Sequence, residues 1–101
     1  MIYKPERHRV PVHIIWSDWK LGALPKSGEY STLARFPGED ITREAWSIVL
    51  TFAPSAKAIG VREWSGQAEF LSETGPWERL SPGAEFEMME GRRVSARVRV
   101  C

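Results

Sequence analysis

The amino-acid sequence predicts an all-β fold in which short strands close into a small antiparallel barrel. Residues 80–100 carry the strongest evidence, because two stretches that alternate apolar and polar side chains flank the turn Glu90-Gly91-Arg92. Such alternation around a glycine turn is typical of a β-hairpin with one apolar face. That face has to be buried against further strands. The sequence leaves open whether these strands form a closed barrel or a two-sheet sandwich.

The first two predicted strands are residues 10–16 and 30–36, each with apolar side chains at alternate positions. Pro11 lies near the start of the first strand, where a missing amide donor is tolerated. Residues 17–29, rich in glycine, proline and polar side chains, are predicted to form a long loop between the two strands. The turn formed by Pro37 and Gly38 ends the second strand.

The third predicted strand, residues 45–52, is the clearest, because apolar side chains occupy every second position and the other face is only mildly polar. Such a strand suits a central position with neighbours on both sides. Pro54 ends it, and residues 55–60 connect it to a fourth strand at 62–71. Residues 41–45 contain at most one helical turn.

The last two strands form the hairpin, and their alternation predicts a register. The expected cross-strand pairs are Met88 with Val94, Phe86 with Ala96, Glu87 with Ser95 and Glu85 with Arg97. Opposite charges facing each other across strands contribute about 0.2–1 kcal/mol each. The acidic strand is therefore expected to neutralise part of the arginine-rich strand on the outer face.

Composition and charge bound the class of protein. The chain has 101 residues, 43% hydrophobic and 27% charged, which suits one barrel domain at 10–101 preceded by an N-terminal tail at 1–9. A net charge of +1 lacks the basic excess typical of nucleic-acid-binding proteins. We expect neither a signal peptide nor a membrane span, since no suitable apolar run is present. Because Cys101 is the single cysteine, a cytoplasmic location is predicted.

No motif in the sequence indicates an enzyme. The two histidines, His8 and His13, have no acid or thiol at a zinc-ligand spacing, and no phosphate-binding Gly-x-x-x-x-Gly-Lys motif is present. Glu85 and Glu87 share one strand face and are expected to be solvated. We therefore predict no catalytic residue, no metal site and no cofactor.

Tryptophan is unusually frequent, with 5 residues in the chain. Trp16, Trp46 and Trp64 fall on predicted inner faces, where large rings fill a core. Trp19 and Trp77 fall in loops, where each either covers an end of the barrel or is an exposed anchor for a protein partner. On the second interpretation, the predicted partner-binding residues are Trp19, Lys20, Tyr30, Arg35 and Trp77.

A basic stripe offers an alternative function, binding of RNA. Its members come from the start and the end of the chain and would merge if the first and last strands were neighbours. They are Arg7, Arg9, Arg92, Arg93, Arg97 and Arg99. Since Glu85 and Glu87 lie beside these arginines on the expected outer face, we favour a protein partner over nucleic acid.

Three stretches carry a resemblance to a known family. They are Pro25-Lys-Ser-Gly-Glu-Tyr30, Ala45-Trp-Ser-Ile-Val-Leu-Thr-Phe52, and Gly66-Gln-Ala-Glu-Phe-Leu71 followed by residues 80–94. Over nearly its whole length the chain resembles stand-alone bacterial proteins related to the C-terminal (third) β-barrel domain of elongation factor Tu. The resemblance implies a six-stranded antiparallel Greek-key barrel.

The resemblance also bears on function. The family's loop usually carries a double glycine followed by arginine near bound tRNA, whereas residues 20–25 contain one glycine and no arginine. Without that arginine a bidentate grip on a phosphate is lost, and Glu29 adds an unfavourable charge. We therefore expect a non-catalytic protein-binding module, with an immunity or regulatory role, rather than a tRNA-binding protein.

Overall fold

Six β-strands form a closed antiparallel barrel in the part of the chain that the computed structural model describes, residues 9–38, 46–52 and 62–101. The strands are β1 (Val10–Trp16), β2 (Glu29–Arg35), β3 (Trp46–Thr51), β4 (Glu63–Phe70), β5 (Glu85–Glu90) and β6 (Arg93–Val100). Their order around the barrel is β1-β4-β3-β2-β5-β6, and β6 pairs with β1 to close it. The predicted all-β barrel is confirmed, and closure excludes the two-sheet alternative.

Strand positions follow the prediction closely because the alternation of side chains is strong. β1 has the predicted bounds, and the other strands differ from their predicted bounds by one or two residues at an end. The predicted helical turn at 41–45, the connection at 55–60 and residues 1–8 of the tail lie outside the described residues.

Aromatic side chains fill one half of the barrel interior. Trp16 is fully buried and packs edge-on against Tyr30 and Trp64, with ring centroids 5.1 and 5.2 Å away. Phe52 completes this group, 5.0 Å from Trp64. The inward orientation predicted for Trp16 and Trp64 is confirmed, whereas Trp46 is only half-buried and packs edge-on against Phe70.

The predicted register of the β5–β6 hairpin is wrong by two residues along most of its length. The observed pairs are Glu85 with Arg99, Phe86 with Val98, Glu87 with Arg97, Met88 with Ala96, Met89 with Val94, and Glu90 with Arg93. One residue of the shift arises because the turn has two residues, Gly91 and Arg92, with Gly91 at a φ of 65°. The other arises from a β-bulge between Met88 and Met89.

The bulge has a consequence for Ser95, which the sequence placed on the outer face. Ser95 has no counterpart in the observed register, and its side chain is buried. Bulges commonly redirect a side chain in this way. The bulge thus brings the hydroxyl group of Ser95 into the barrel interior, at the end near Trp19.

The predicted loop at 17–29 contains a short 3-10 helix, η1 (Asp18–Ala23), and a second such helix, η2 (Trp77–Arg79), lies between β4 and β5. Helices of one or two 3-10 turns leave no apolar period that sequence analysis can detect. Because β1 and β4 are antiparallel neighbours, η1 and η2 follow strands that finish at opposite ends of the barrel. We call these the Trp19 end and the Trp77 end.

Gly66 allows β3 and β4 to approach closely. A Cβ atom at this position would lie 2.5 Å from the carbonyl oxygen of Thr51 and 3.2 Å from a ring carbon of Phe52. We expect Gly66→Ala to lower the free energy of unfolding by about 2 kcal/mol, since overpacking costs about 1–3 kcal/mol. Urea unfolding measures the effect. Gly22→Ala is the control, because nothing lies within 4 Å of a Cβ there, and equal midpoints for the two variants would contradict the prediction.

Candidate functional site

The Trp19 end of the barrel holds four interacting polar side chains, Lys20, Tyr30, Glu90 and Ser95, which we call the Lys20 cluster. Lys20 is only 8% exposed, and its Nζ lies 2.7 Å from Oε2 of Glu90. The Tyr30 hydroxyl donates a hydrogen bond to the same carboxylate oxygen. The cluster therefore joins η1, β2 and the β5–β6 hairpin through one carboxylate.

The β-bulge supplies the fourth member of the cluster. Oγ of Ser95 lies 2.6 Å from the Tyr30 hydroxyl oxygen and 3.1 Å from the carbonyl oxygen of Met88, to which it donates. Tyr30 and Ser95 carry one hydroxyl proton each, so with the Tyr30 proton on Glu90 the Ser95 proton is shared between the Tyr30 hydroxyl oxygen and the Met88 carbonyl oxygen. The Ser95 hydroxyl is buried and engaged on both sides.

Electrostatics fix the protonation states of the cluster. Burial, together with the hydrogen bond to Glu90, raises the pKa of Tyr30 well above its ordinary value. Burial opposes ionisation of Glu90, but hydrogen bonds from Lys20 and Tyr30 outweigh it and lower the pKa of this carboxyl. At neutral pH, Tyr30 is thus a neutral donor and Glu90 a carboxylate.

We expect Tyr30→Phe to lower the free energy of unfolding by about 2 kcal/mol, because hydrogen bonds to charged groups contribute about 1.5–3 kcal/mol. The phenyl ring keeps its packing against Trp16. Ser31→Ala is the control, since Ser31 lies on the same strand, is exposed and takes no part in the Lys20 cluster. Equal unfolding midpoints for wild type and Tyr30→Phe in urea would show that the hydroxyl contributes nothing.

Trp19 lies over the Lys20 cluster and is fixed by two contacts. Its indole Nε1 donates to the carbonyl oxygen of Val94 over 2.8 Å, and the guanidinium of Arg93 stacks 3.7 Å from its ring centroid. The side chain is nevertheless 36% exposed. We call this arrangement the Trp19/Arg93 pair, and it presents an immobilised aromatic surface to solvent.

The structure does not bring the five predicted partner-binding residues together. Trp19, Lys20 and Tyr30 lie at one end of the barrel, whereas Arg35 and Trp77 lie at the other. Lys20 departs from its predicted role as a partner-binding residue, because its side chain is buried below Trp19 and ion-paired with Glu90. Arg35 binds Glu87 on the outer face through Nε and Nη2, at 2.9 and 2.5 Å. Trp77 is 40% exposed.

The predicted basic stripe is divided in the same way. β1 and β6 are neighbours, as the stripe requires, so Arg97 and Arg99 adjoin β1. Arg9, however, pairs with Glu69 of β4 over 3.4 Å. Arg92 and Arg93 lie at the hairpin turn, where Arg93 is stacked on Trp19, and Arg7 lies outside the described residues.

Within residues 9–38, 46–52 and 62–101, no three histidine, cysteine, aspartate or glutamate side chains are placed to hold a metal ion. No helix in these segments is long and apolar enough to cross a membrane. No known protein-family model matches the chain, and a search of curated proteins finds no significant match.

Sequence analysis missed Glu90, Ser95 and the role of Arg93. Glu90 was placed in the turn, but it pairs with Arg93 and belongs to β5. The one available signal was its position immediately before Gly91, which makes it the last residue of a strand if the turn has two residues. Nothing in the sequence marks the bulge that turns Ser95 inward.

Proposed function

We propose that the protein is a non-catalytic binding module that engages a protein partner through the Trp19/Arg93 pair. The observation that carries this proposal is the exposed indole held by an arginine and a backbone carbonyl. Tryptophan and arginine are enriched among the residues that dominate binding energy at interfaces. Because the ring is already immobilised, little side-chain freedom remains to be lost on binding.

The chemistry of the Lys20 cluster favours support of this surface over catalysis. A catalytic base or nucleophile has to be accessible and able to exchange a proton. Tyr30 stays protonated, Lys20 is held by Glu90, and Ser95 is buried. These side chains tie η1 to the hairpin and so fix the position of Trp19.

The strand order supports the finer description of the fold. β2, β3 and β4 are consecutive neighbours, and β1 returns beside β4, which is the order of a Greek key. This order is in keeping with our proposed relation to the third domain of elongation factor Tu. The single, exposed Cys101 suits a reducing compartment, so we propose a location in the bacterial cytoplasm. An immunity or regulatory role is the part of the proposal that suits a small, non-catalytic binding module.

The experiment is a pull-down from a bacterial lysate with wild type, Trp19→Ala and Trp77→Ala, with and without nuclease. The two tryptophans are similarly exposed but lie at opposite ends, so each variant is the control for the other. We expect Trp19→Ala to lose partner capture by about 30-fold, the effect of a residue that contributes about 2 kcal/mol. Trp77→Ala should retain it. The reverse pattern would move the site to the Trp77 end.

RNA remains the alternative partner, and the same experiment tests it. Arg97 has a side chain that is 78% exposed, as phosphate contact requires. Glu85 and Glu87 lie directly opposite Arg99 and Arg97, which weakens the attraction for a polyanion. Nucleic acid captured equally by all three proteins, and released steeply by salt, would replace our proposal.

A further inference from the structure

A surface that the proposed function does not use lies on the outer face of β5 and β6. We define it by Glu85, Glu87, Arg97 and Arg99 and call it the charged stripe. β5 contributes the acidic side chains and β6 the basic ones, and the register places Glu85 opposite Arg99 and Glu87 opposite Arg97. The stripe is therefore a negative row beside a positive row of equal length.

Ion pairs within the chain neutralise only part of the charge on this stripe. Glu87 is bound mainly by Arg35 at 2.5 Å, while Arg97 lies 3.9 Å away from it and is largely exposed. Neither Glu85 nor Arg99 forms an ion pair with another described residue. Both charges are thus available to an external partner of the opposite sign.

The stripe also lines a groove of about 960 Å³. Its remaining walls come from β1 and from the segment that follows β2, including Ile15, Phe36 and Pro37. Ile15 adds an exposed apolar side chain beside Arg97. The groove therefore offers space for long side chains that project from a second surface.

We propose that the charged stripe is the interface of a symmetric homodimer. A two-fold axis parallel to the strands, above the seam between β5 and β6, places β5 of one copy over β6 of the other. Because Glu85 and Arg99 are directly opposite each other, this rotation sets each Glu85 against the partner's Arg99, and each Glu87 against the partner's Arg97. Such an interface is self-complementary, as an isologous contact requires.

The remaining charges of the chain allow this association. A net charge of +1 produces little repulsion between copies, and proteins with a net charge near zero associate readily. The exposed arginine side chains of each copy enter the groove of the other. The Trp19/Arg93 pair lies at the end of the barrel, outside this interface, so dimerisation does not depend on the proposed partner site.

Sedimentation equilibrium of the full chain tests the proposal through a charge swap. We expect wild type to dimerise and Arg99→Glu or Glu85→Arg to weaken the dimer by about tenfold or more, because each puts like charges in contact. Mixing the two variants should restore dimers, since the introduced carboxylate of one copy then faces the introduced guanidinium of the other. Higher salt should dissociate wild type.

Arg92→Glu is the matched control for Arg99→Glu, because it changes the net charge by the same amount at the exposed hairpin turn. Circular dichroism verifies that each variant is folded, and Trp19→Ala should dimerise like wild type. A monomeric wild type at about 1 mM in low salt, well above the micromolar range of ordinary specific interfaces, would overturn the proposal. Equal effects of Arg92→Glu and Arg99→Glu, or a mixture that stays monomeric, would also overturn it. If an acidic peptide instead bound to the charged stripe of a monomeric protein and saturated it, the stripe would be assigned to that peptide.

Discussion

Glu90→Gln is expected to lower the free energy of unfolding by about 3 kcal/mol at pH 7. The variant removes the counter-charge of Lys20, whose side chain is 11% exposed, and the loss of one partner from a buried ion pair costs about 3–5 kcal/mol. The lower end of this range applies because the Glu90 side chain is 34% exposed. Urea unfolding followed by circular dichroism measures the change.

A double variant separates the ion pair from the rest of the site. Lys20→Met/Glu90→Gln removes both charges, so it should be less destabilised than the sum of the two single variants. Simple additivity of the single effects would show that Lys20 and Glu90 are not energetically coupled.

The carboxyl group of Glu90 also makes the free energy of unfolding depend on pH. The folded-state pKa of Glu90 is lowered from its ordinary value of 4.5, so the unfolded chain binds its proton first as pH falls. The contribution of Glu90 is therefore complete above about pH 5 and is lost progressively below it, through the lowered pKa. We expect Glu90→Gln to have a flatter decline in unfolding midpoint between about pH 5 and 3 than wild type. Parallel curves for the two proteins would contradict this assignment.

Trp16→Ala is expected to lower the free energy of unfolding by about 4 kcal/mol, since removal of a buried aromatic ring costs about 3–5 kcal/mol. Trp16 is fully buried and contacts Tyr30, Phe52 and Trp64 with ring centroids 5.1, 6.1 and 5.2 Å away. Removing the indole leaves a cavity that the neighbouring rings of Tyr30, Phe52 and Trp64 are too rigid to fill. Urea unfolding, with near-ultraviolet circular dichroism as a second probe, measures this loss.

Trp16→Phe is the informative companion variant. It retains most of the aromatic packing and deletes Nε1, a buried donor that has no hydrogen-bond partner among the described residues. We expect a cost below about 2 kcal/mol, because loss of an unsatisfied polar atom offsets part of the lost ring volume. Equal destabilisation by the two variants would contradict the view that ring packing accounts for the effect of Trp16.

The fold was predictable because alternation records which face of each strand is buried. In β1, every second residue from Val12 to Trp16 enters the core, as the pattern indicates. Hairpin register is different, because it depends on turn length and on bulges. One residue of shift from the turn and one from the bulge were enough to change the cross-strand partner of Arg97 from the predicted Glu85 to the observed Glu87.

The candidate site was less predictable than the fold. Exposure of Trp19 at a barrel end was one of the two interpretations open to the sequence, but its fixation by Arg93 joins residues that are far apart in the chain. The separation of Trp19 from Trp77 follows from β1 and β4 being neighbours. Strand order arises from long-range pairing, which the local alternation of side chains does not record.

The position of β6 also bears on how the protein is made. β6 pairs with β5 on one side and with β1 on the other, so a ribosome-bound chain that lacks it has two strands with unpaired backbone groups. Such edges recruit other chains, and pairing between distant segments is slow. The nascent protein is therefore exposed to aggregation until β6 emerges, and that one strand removes both edges at once.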